Sequence, residues 1–255
     1  MNDLQRYFES NIGRLIDKHT HYFDIYERYF ANYRNTDVTF LEIGIYNGGS
    51  LQMWKHYFGP KAKIVGVDIN PECKKLEEDQ IEIHIGDQSD KGFLNRLIKQ
   101  IPRPDIVLDD GGHFMDQQIN TFEVLYPFVA PDGIYMCEDM HTSYWKNYGG
   151  GFKARGTFVE YSKYFIDYLH ARQSANLQNS KLLDFAQSAF GLHYYDSILV
   201  IEKRLREESK RRTTGKPSFP LDPKRTIPQR IQARLSEYSQ ILRHKLSYRP
   251  YHRRD

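Results

Sequence analysis

The residues best placed to do chemistry run from Asp109 to His113, Asp-Asp-Gly-Gly-His. Two carboxylates and an imidazole separated only by glycines can share one tight turn. There a carboxylate holds a cation or orients a base, and the imidazole exchanges a proton near neutral pH. Either Asp109 or Asp110 can face such a site, and a polar capped turn is the plainer reading of the run taken alone. A second acid-and-imidazole run, Glu138-Asp139-Met140-His141, points the same way.

Both runs follow short apolar stretches. Ile106-Val107-Leu108 and Gly133-Ile-Tyr-Met-Cys137 read as buried strands that end where the polarity changes. Three further strands precede them. Val38 to Ile43 leads into a glycine loop with Gly44, Gly48 and Gly49 and then a helix that starts at Ser50. Glu42 before that loop suits a ligand with a positive charge, and the glycine spacing is not the G-x-G-x-x-G of dinucleotide folds. Lys63 to Asp68 ends in an acid 24 residues after Gly44, a place from which an acid commonly takes ribose hydroxyls. Ile81 to Ile85 runs into Gly86-Asp87-Gln88-Ser89. Five strands thus end in acids or glycines on one sheet edge, which predicts a nucleoside-type pocket with a metal beside it.

Helical patterns over 91–100 and 117–129 alternate with these strands, so the fold class expected is α/β, Rossmann-like and doubly wound, with a mostly parallel sheet. Gly191 to Lys203 predicts a C-terminal antiparallel hairpin turning at Asp196-Ser197. Leu4, Tyr7, Phe8, Ile12, Leu15 and Ile16 predict one N-terminal helix, and Tyr22, Phe23, Tyr26, Tyr29 and Phe30 a second. Between them, Asp17-Lys18-His19-Thr20-His21-Tyr22 reads first as a capped turn and second as a flap over a cofactor. After His141 an aromatic, glycine-rich loop offers Tyr144, Trp145 and Tyr148 as faces for a sugar or ring, and a long helix is expected from Thr157 to Leu169.

The net charge of +3 hides an asymmetry, because residues 203–255 hold 16 Lys and Arg against 5 Asp and Glu, while residues 1–202 hold 20 against 28. Three parts are expected: an N-terminal helical segment (1–36), a catalytic domain (37–204), and a basic extension (205–255) whose one amphipathic helix carries Ile227, Ile231, Leu235, Tyr238, Leu242 and Leu246 along a stripe. A solvated basic surface is the plain reading of that tail, with packing on the body or on a sister subunit open to its apolar stripe. No apolar run reaches the roughly 18 residues of a membrane span, the polar start lacks the apolar segment of a signal peptide, and Cys73 and Cys137 read as reduced thiols. A cytoplasmic location is expected.

Glu42-Ile-Gly-Ile-Tyr-Asn-Gly-Gly-Ser50, Val67-Asp68, Gly86-Asp87, Asp109-Asp-Gly-Gly-His113, Glu138-Asp-Met-His-Thr-Ser-Tyr-Trp145 and Tyr195-Asp-Ser-Ile198 together resemble class I S-adenosylmethionine-dependent methyltransferases. More narrowly, they are similar to the metal-dependent sugar O-methyltransferases of macrolide and rhamnosyl-tetracenomycin biosynthesis and the cephalosporin-hydroxylase-like proteins grouped with them. The resemblance covers about Leu15 to Lys203. It implies S-adenosyl-L-methionine and Mg²⁺ as cofactors, with Asp110, Glu138 and Asp139 as metal ligands and His113 as the base, Asp110 serving catalysis as well. Such hard oxygen donors suit Mg²⁺. On the cofactor side the resemblance implies Glu42, Gly44, Gly48 and Ser50 at the methionyl end, Asp68 on the ribose, Asp87 and Gln88 at the adenine, and Asp109 beside them. His141, Tyr144 and Trp145 are implied on the substrate side.

The implied reaction moves a methyl group to a hydroxyl of a sugar or glycosylated natural product, as in antibiotic biosynthesis. The implied partner is that small-molecule acceptor, with no nucleic acid, no transmembrane segment and an open place for homo-oligomers. Two alternatives stay open: a metal-dependent hydroxylase using two histidines and a carboxylate, and a non-catalytic S-adenosylmethionine-binding protein.

Overall fold

The computed structural model describes residues 1–171, 180–205, 210–219 and 227–247. Seven strands form one sheet: β1 (Thr39–Ile43), β2 (Lys63–Asp68), β3 (Ile81–Ile85), β4 (Ile106–Asp109), β5 (Ile134–Cys137), β6 (Ala189–Tyr195) and β7 (Ile198–Lys203), in the order β3-β2-β1-β4-β5-β7-β6. The first five run parallel, and β7 pairs antiparallel with both β5 and β6. The hairpin turns at Ser197, whose φ of 65° is left-handed.

The chain winds outward from β1 to β3 and returns to lay β4 on the other side of β1. That reversal opens a crevice beyond the carboxyl ends of β1 and β4, the place where open α/β sheets bind ligands. Every residue of β1, β4 and β5 is buried, as a sheet covered on both faces requires.

One face is covered by α1 (Asp3–Glu9), α2 (Tyr22–Phe30) and α3 (Gly49–Phe58), through an aromatic cluster of Tyr26, Phe30, Phe40, Trp54 and Phe58. The other face carries α4 (Lys91–Leu97), α5 (Met115–Phe128), α6 (Phe158–Ser162), α7 (Tyr164–His170) and α8 (Ser180–Ser188), with Phe122 stacked on Phe165 at 4.3 Å. Strand alternation sorts β4 between the two layers. Ile106 and Leu108 face the first, Val107 the second, and Asp109 therefore the second too.

Two helices differ from the sequence-based expectation. α1 stops at Glu9 rather than continuing to Ile16, because the Ser10 hydroxyl donates to the carbonyl of Arg6 and Asn11 accepts from the Gly13 amide, local bonds that compete with another helical turn. Ile12 and Leu15 are consequently exposed. The expected helix over 157–169 is two short helices meeting at Lys163.

Contacts divide the chain into Met1–Glu207 and Glu208–Asp255. The second unit contains α9 (Ile227–Ser247), along which Ile231, Leu235, Tyr238 and Leu242 are exposed; the side chains of Ile227 and Leu246 lie outside the described residues. No helix among the described residues is long and apolar enough to cross a membrane. Cys73 and Cys137 are buried and unpaired.

Candidate active site

The crevice holds a cavity of about 460 Å³, within the size range of small-ligand sites. Its floor is the meeting of two loops. Gly44 has a φ of +84°, and a Cβ there would lie 2.1 Å from the carbonyl oxygen of Asp110, so only glycine lets the loop after β1 touch the loop after β4. A Cβ on Gly49 would come within 2.4 Å of the Leu15 carbonyl, because the extended stretch before α2 crosses the start of α3. That stretch makes one wall: Leu15 to His19 and Tyr22 all line the cavity. Asp17 to His19 thus border the cavity, and a turn closed by the Tyr22 amide donating to the His19 carbonyl leads from them into α2.

Of the residues implied for the cofactor, Gly44, Ser50, Asp68, Asp87 and Gln88 line the cavity, whereas Glu42, Gly48 and Asp109 do not. Asp68 uses one carboxylate oxygen to accept from the amides of Ile45 and Tyr46, fixing the glycine loop, and the other to accept from Asn70. Gln88 braces the opposite loop, donating to Asp109 and Thr121 and accepting from the Gly112 amide.

Asp109, expected among the cofactor contacts, points away from the cavity into the second layer at 1% exposure. It accepts from Gln88 at 3.0 Å and from the Tyr135 hydroxyl at 3.4 Å. Burial, with help from the Asp110 charge, raises its carboxyl to about 7. A folded pKa above the unfolded value means that this group's stability is complete below about pH 4 and is lost as pH rises to about 7. Asp109→Asn is therefore expected to flatten unfolding free energy against pH across that window, by an amount on the order of 2–4 kcal/mol, as read by urea unfolding at a series of pH values. An unchanged slope would contradict a buried, proton-holding Asp109.

Glu42, expected at a methionyl amino group, is fully buried behind Ser50. It accepts from Ser50 Oγ at 2.8 Å and Trp54 Nε1 at 3.2 Å, and lies 3.7 Å from Lys18 Nζ. Burial lifts its carboxyl to about 7 against the pull of Lys18.

The acidic side of the cavity is made by Asp110, Glu138 and Asp139, with His113 between the two loops. Tyr22 and Tyr26, one turn apart on a single face of α2, donate respectively to Asp139 Oδ1 at 2.6 Å and to Glu138 Oε1. Lys18, its side chain 2% exposed, sits between Asp110 and Glu138, bonded to the first and 3.1 Å from the second. Burial alone would lower its pKa, but the carboxylates of Asp110, Glu138 and Glu42 hold it above the ordinary lysine value. Burial and the Asp110 charge push Glu138 well up, opposed by Lys18 and the Tyr26 hydroxyl.

His113 Nε2 lies 3.4 Å from Asp139 Oδ2, and its Nδ1 is buried without a partner. Its carbonyl accepts from Thr142 Oγ1. Both His113 (φ 59°) and Asp139 (φ 52°) are left-handed, a conformation that non-glycine residues adopt at a cost and that is often found at functional sites. Donor atoms of Asp110, His113 and Asp139 lie within 4.8 Å of one another, close enough to hold a cation. Glu138, expected as the third carboxylate, does not join that group; its Oε1 accepts from Tyr26 and its Oε2 from Lys18.

On the implied substrate side, His141, Tyr144 and Trp145 lie outside the cavity lining; Tyr144 and Trp145 are about half exposed, and the His141 and Trp145 rings are 4.5 Å apart. Burial lowers the His141 pKa, partly offset by Asp139. Lys18 and the two tyrosines of α2 are the site residues that sequence reasoning missed. The available signal was the polar run Asp17 to Tyr22, richer in charge and imidazole than a helix connection requires.

No family model matches the chain. It is 35% identical over 216 residues to mycinamicin VI 2''-O-methyltransferase of Micromonospora griseorubida, covering 80% of this chain and 52% of the relative. It is 36% identical over 211 residues to 8-demethyl-8-(2-methoxy-alpha-L-rhamnosyl)-tetracenomycin-C 3'-O-methyltransferase of Streptomyces olivaceus, covering 76% and 54%. The structure of the MycE methyltransferase of the mycinamycin biosynthetic pathway, in complex with Mg, SAH and mycinamycin VI, matches with a TM-score of 0.73 at 31% identity over 91% of this chain and 59% of that one. The sheet and its helices thus form a Rossmann-like methyltransferase fold, and the chain spans about half the length of the curated relatives it matches.

Proposed function

As a homologue of sugar O-methyltransferases from macrolide and tetracenomycin pathways, this chain, we propose, uses S-adenosylmethionine and Mg²⁺ to methylate a hydroxyl of a sugar or glycosylated natural product in the cytoplasm. One observation carries the proposal: a single cavity has a glycine loop and the ribose-type acid Asp68 on one side and Asp110, His113, Glu138 and Asp139 on the other. A nucleoside cofactor and a cation-assisted deprotonation need those two sides within one small space.

The residues present fit both groups. The close approach at Gly44 leaves backbone beside a ligand, and Asp68 retains lone pairs for ribose hydroxyls beyond its three amide contacts. Asp110 and Asp139 offer hard oxygen donors beside the His113 imidazole, with Glu138 adjacent, once the Lys18 ammonium bonded to Asp110 and Glu138 moves aside. Bound there, S-adenosylmethionine supplies an electrophilic methyl group and Mg²⁺ the Lewis acidity that makes a hydroxyl easier to deprotonate.

The chain's own residues do the rest. A sugar hydroxyl holds its proton too tightly to attack at neutral pH, and His113 accepts that proton at an imidazole nitrogen. Asp139, 3.4 Å from Nε2, stabilises the resulting imidazolium and is itself held by the Tyr22 hydroxyl. Thr142 fixes the His113 backbone, and Gln88 fixes the Gly112 amide beside it, so the base is oriented before the acceptor arrives.

The test is calorimetric titration with S-adenosylmethionine and its demethylated product, with and without Mg²⁺, on wild type, Asp68→Ala and Asp139→Ala. Wild type is expected to bind both ligands, Asp68→Ala to lose about tenfold or more in affinity, and Asp139→Ala to keep the nucleoside while losing Mg²⁺. A wild type that binds neither nucleoside under any metal condition overturns the proposal.

A further inference from the structure

We infer that His19, Asp139 and His141 form a second cation site, at the mouth of the cavity, for a borderline divalent metal of the Zn²⁺ or Co²⁺ type. Their donor atoms lie within 4.8 Å of one another, a group distinct from Asp110, His113 and Asp139 and sharing only Asp139 with it. Two neighbouring segments of chain build it. His19 belongs to the wall segment before α2, Asp139 sits in a left-handed conformation directly beyond β5, and His141 follows on the 3₁₀ turn Met140–Tyr144. The His19 and His141 rings stand edge to face, with centroids 5.6 Å apart.

Metal–ligand bonds of about 2.0–2.2 Å require donors roughly 3.0–3.5 Å apart, so the group must close by at most about an ångström and a half. His19 is exposed and His141 half-buried, so the closure falls to rotation of these two side chains. Asp139 is anchored by Tyr22 through Oδ1 and presents Oδ2 toward His113. Nearby His21 is otherwise engaged, its Nε2 3.2 Å from the Asp196 carbonyl, and is not needed.

The donor set decides the metal. Two imidazoles and one carboxylate favour Zn²⁺, Co²⁺ or Fe²⁺ over Mg²⁺, which prefers oxygen, and three protein ligands leave positions open to solvent. Because Asp139 serves both groups, occupation of this site alters the inner site's affinity for Mg²⁺, and Mg²⁺ alters this site's affinity by the same factor.

Co²⁺ provides the test, since it reports its ligands without any turnover. Titrated into the full chain, it is expected to give d–d absorption and paramagnetically shifted, exchangeable imidazole N–H resonances. His19→Ala and His141→Ala should each weaken binding by about tenfold or more, while Asp110→Asn retains it and His21→Ala leaves it unchanged. The inference is overturned if wild type shows no shifted imidazole resonance, if binding survives either of the first two substitutions, or if Asp110→Asn abolishes it, since the metal would then sit in the inner group. Nucleoside binding measured on the same samples keeps this outcome separate from the fate of the methyltransferase proposal.

Discussion

Lys18→Met is expected to lower the unfolding free energy near pH 8 by about 3–5 kcal/mol, a fall in Tm on the order of 10 °C. Among the described residues the ammonium is the one cation placed among Glu42, Asp110 and Glu138, and two of those carboxylates are at 0% and 1% exposure. Methionine keeps the stem's volume and removes the charge, so the loss reports uncompensated buried carboxylates rather than a cavity. Their pKa values, already raised by burial for Glu42 and Glu138, rise further when Lys18 is gone. The sign follows: raised carboxyl pKa values give stability that is present at low pH and lost as pH rises, so the deficit of the variant should shrink toward about pH 5. Mg²⁺ should restore part of it near pH 8 if Asp110 and Glu138 then share the divalent ion. Thermal and urea unfolding at the two pH values, with and without Mg²⁺, measures all of this. A variant as stable as wild type near pH 8 would show that the ammonium does not balance the acid cluster.

The parallel sheet was legible because its signal is local. Ile64-Val65, Ile106-Val107-Leu108 and Ile134 to Cys137 are apolar runs that stop at acids or glycines, and alternation with helical patterns leaves few topologies. The acids beyond β4 and β5 were legible for the same reason. Which of them face the cavity was only half legible. Strand alternation through Val107 sends Asp109 to the second layer, and the same rule puts Glu42 beside Phe40 against α3, where Ser50 and Trp54 satisfy it.

What stayed hidden depends on contacts between residues distant in sequence. Lys18 reaches Asp110 across 92 positions and Glu138 across 120, and nothing in Asp17 to Tyr22 announces that reach. The end of α1 at Glu9 turns on the side-chain bonds of Ser10 and Asn11, which apolar periodicity ignores. Tyr22 and Tyr26 looked like core aromatics, and they are, with hydroxyls that end on the two acids of the β5 exit.

His113→Ala is expected to lower kcat about 10²–10⁴-fold while leaving affinity for the demethylated cofactor product within about twofold. The ring lies beside Asp139 at 3.4 Å and lines the cavity, but none of its contacts braces the glycine loop or Asp68. On the proposed reading its removal therefore takes away a proton acceptor and leaves the wall of the glycine loop and Asp68 intact. The readout is release of demethylated cofactor with the best glycoside acceptor found, alongside calorimetric binding. Two further measurements separate base from scaffold. Added imidazole should restore part of the rate in His113→Ala, which a purely structural role would not permit, and Thr142→Val, which frees the His113 carbonyl, should lower kcat far less. Equal losses of rate and nucleoside affinity, with no rescue by imidazole, would mean that His113 shapes the loop and that the proton leaves by another route.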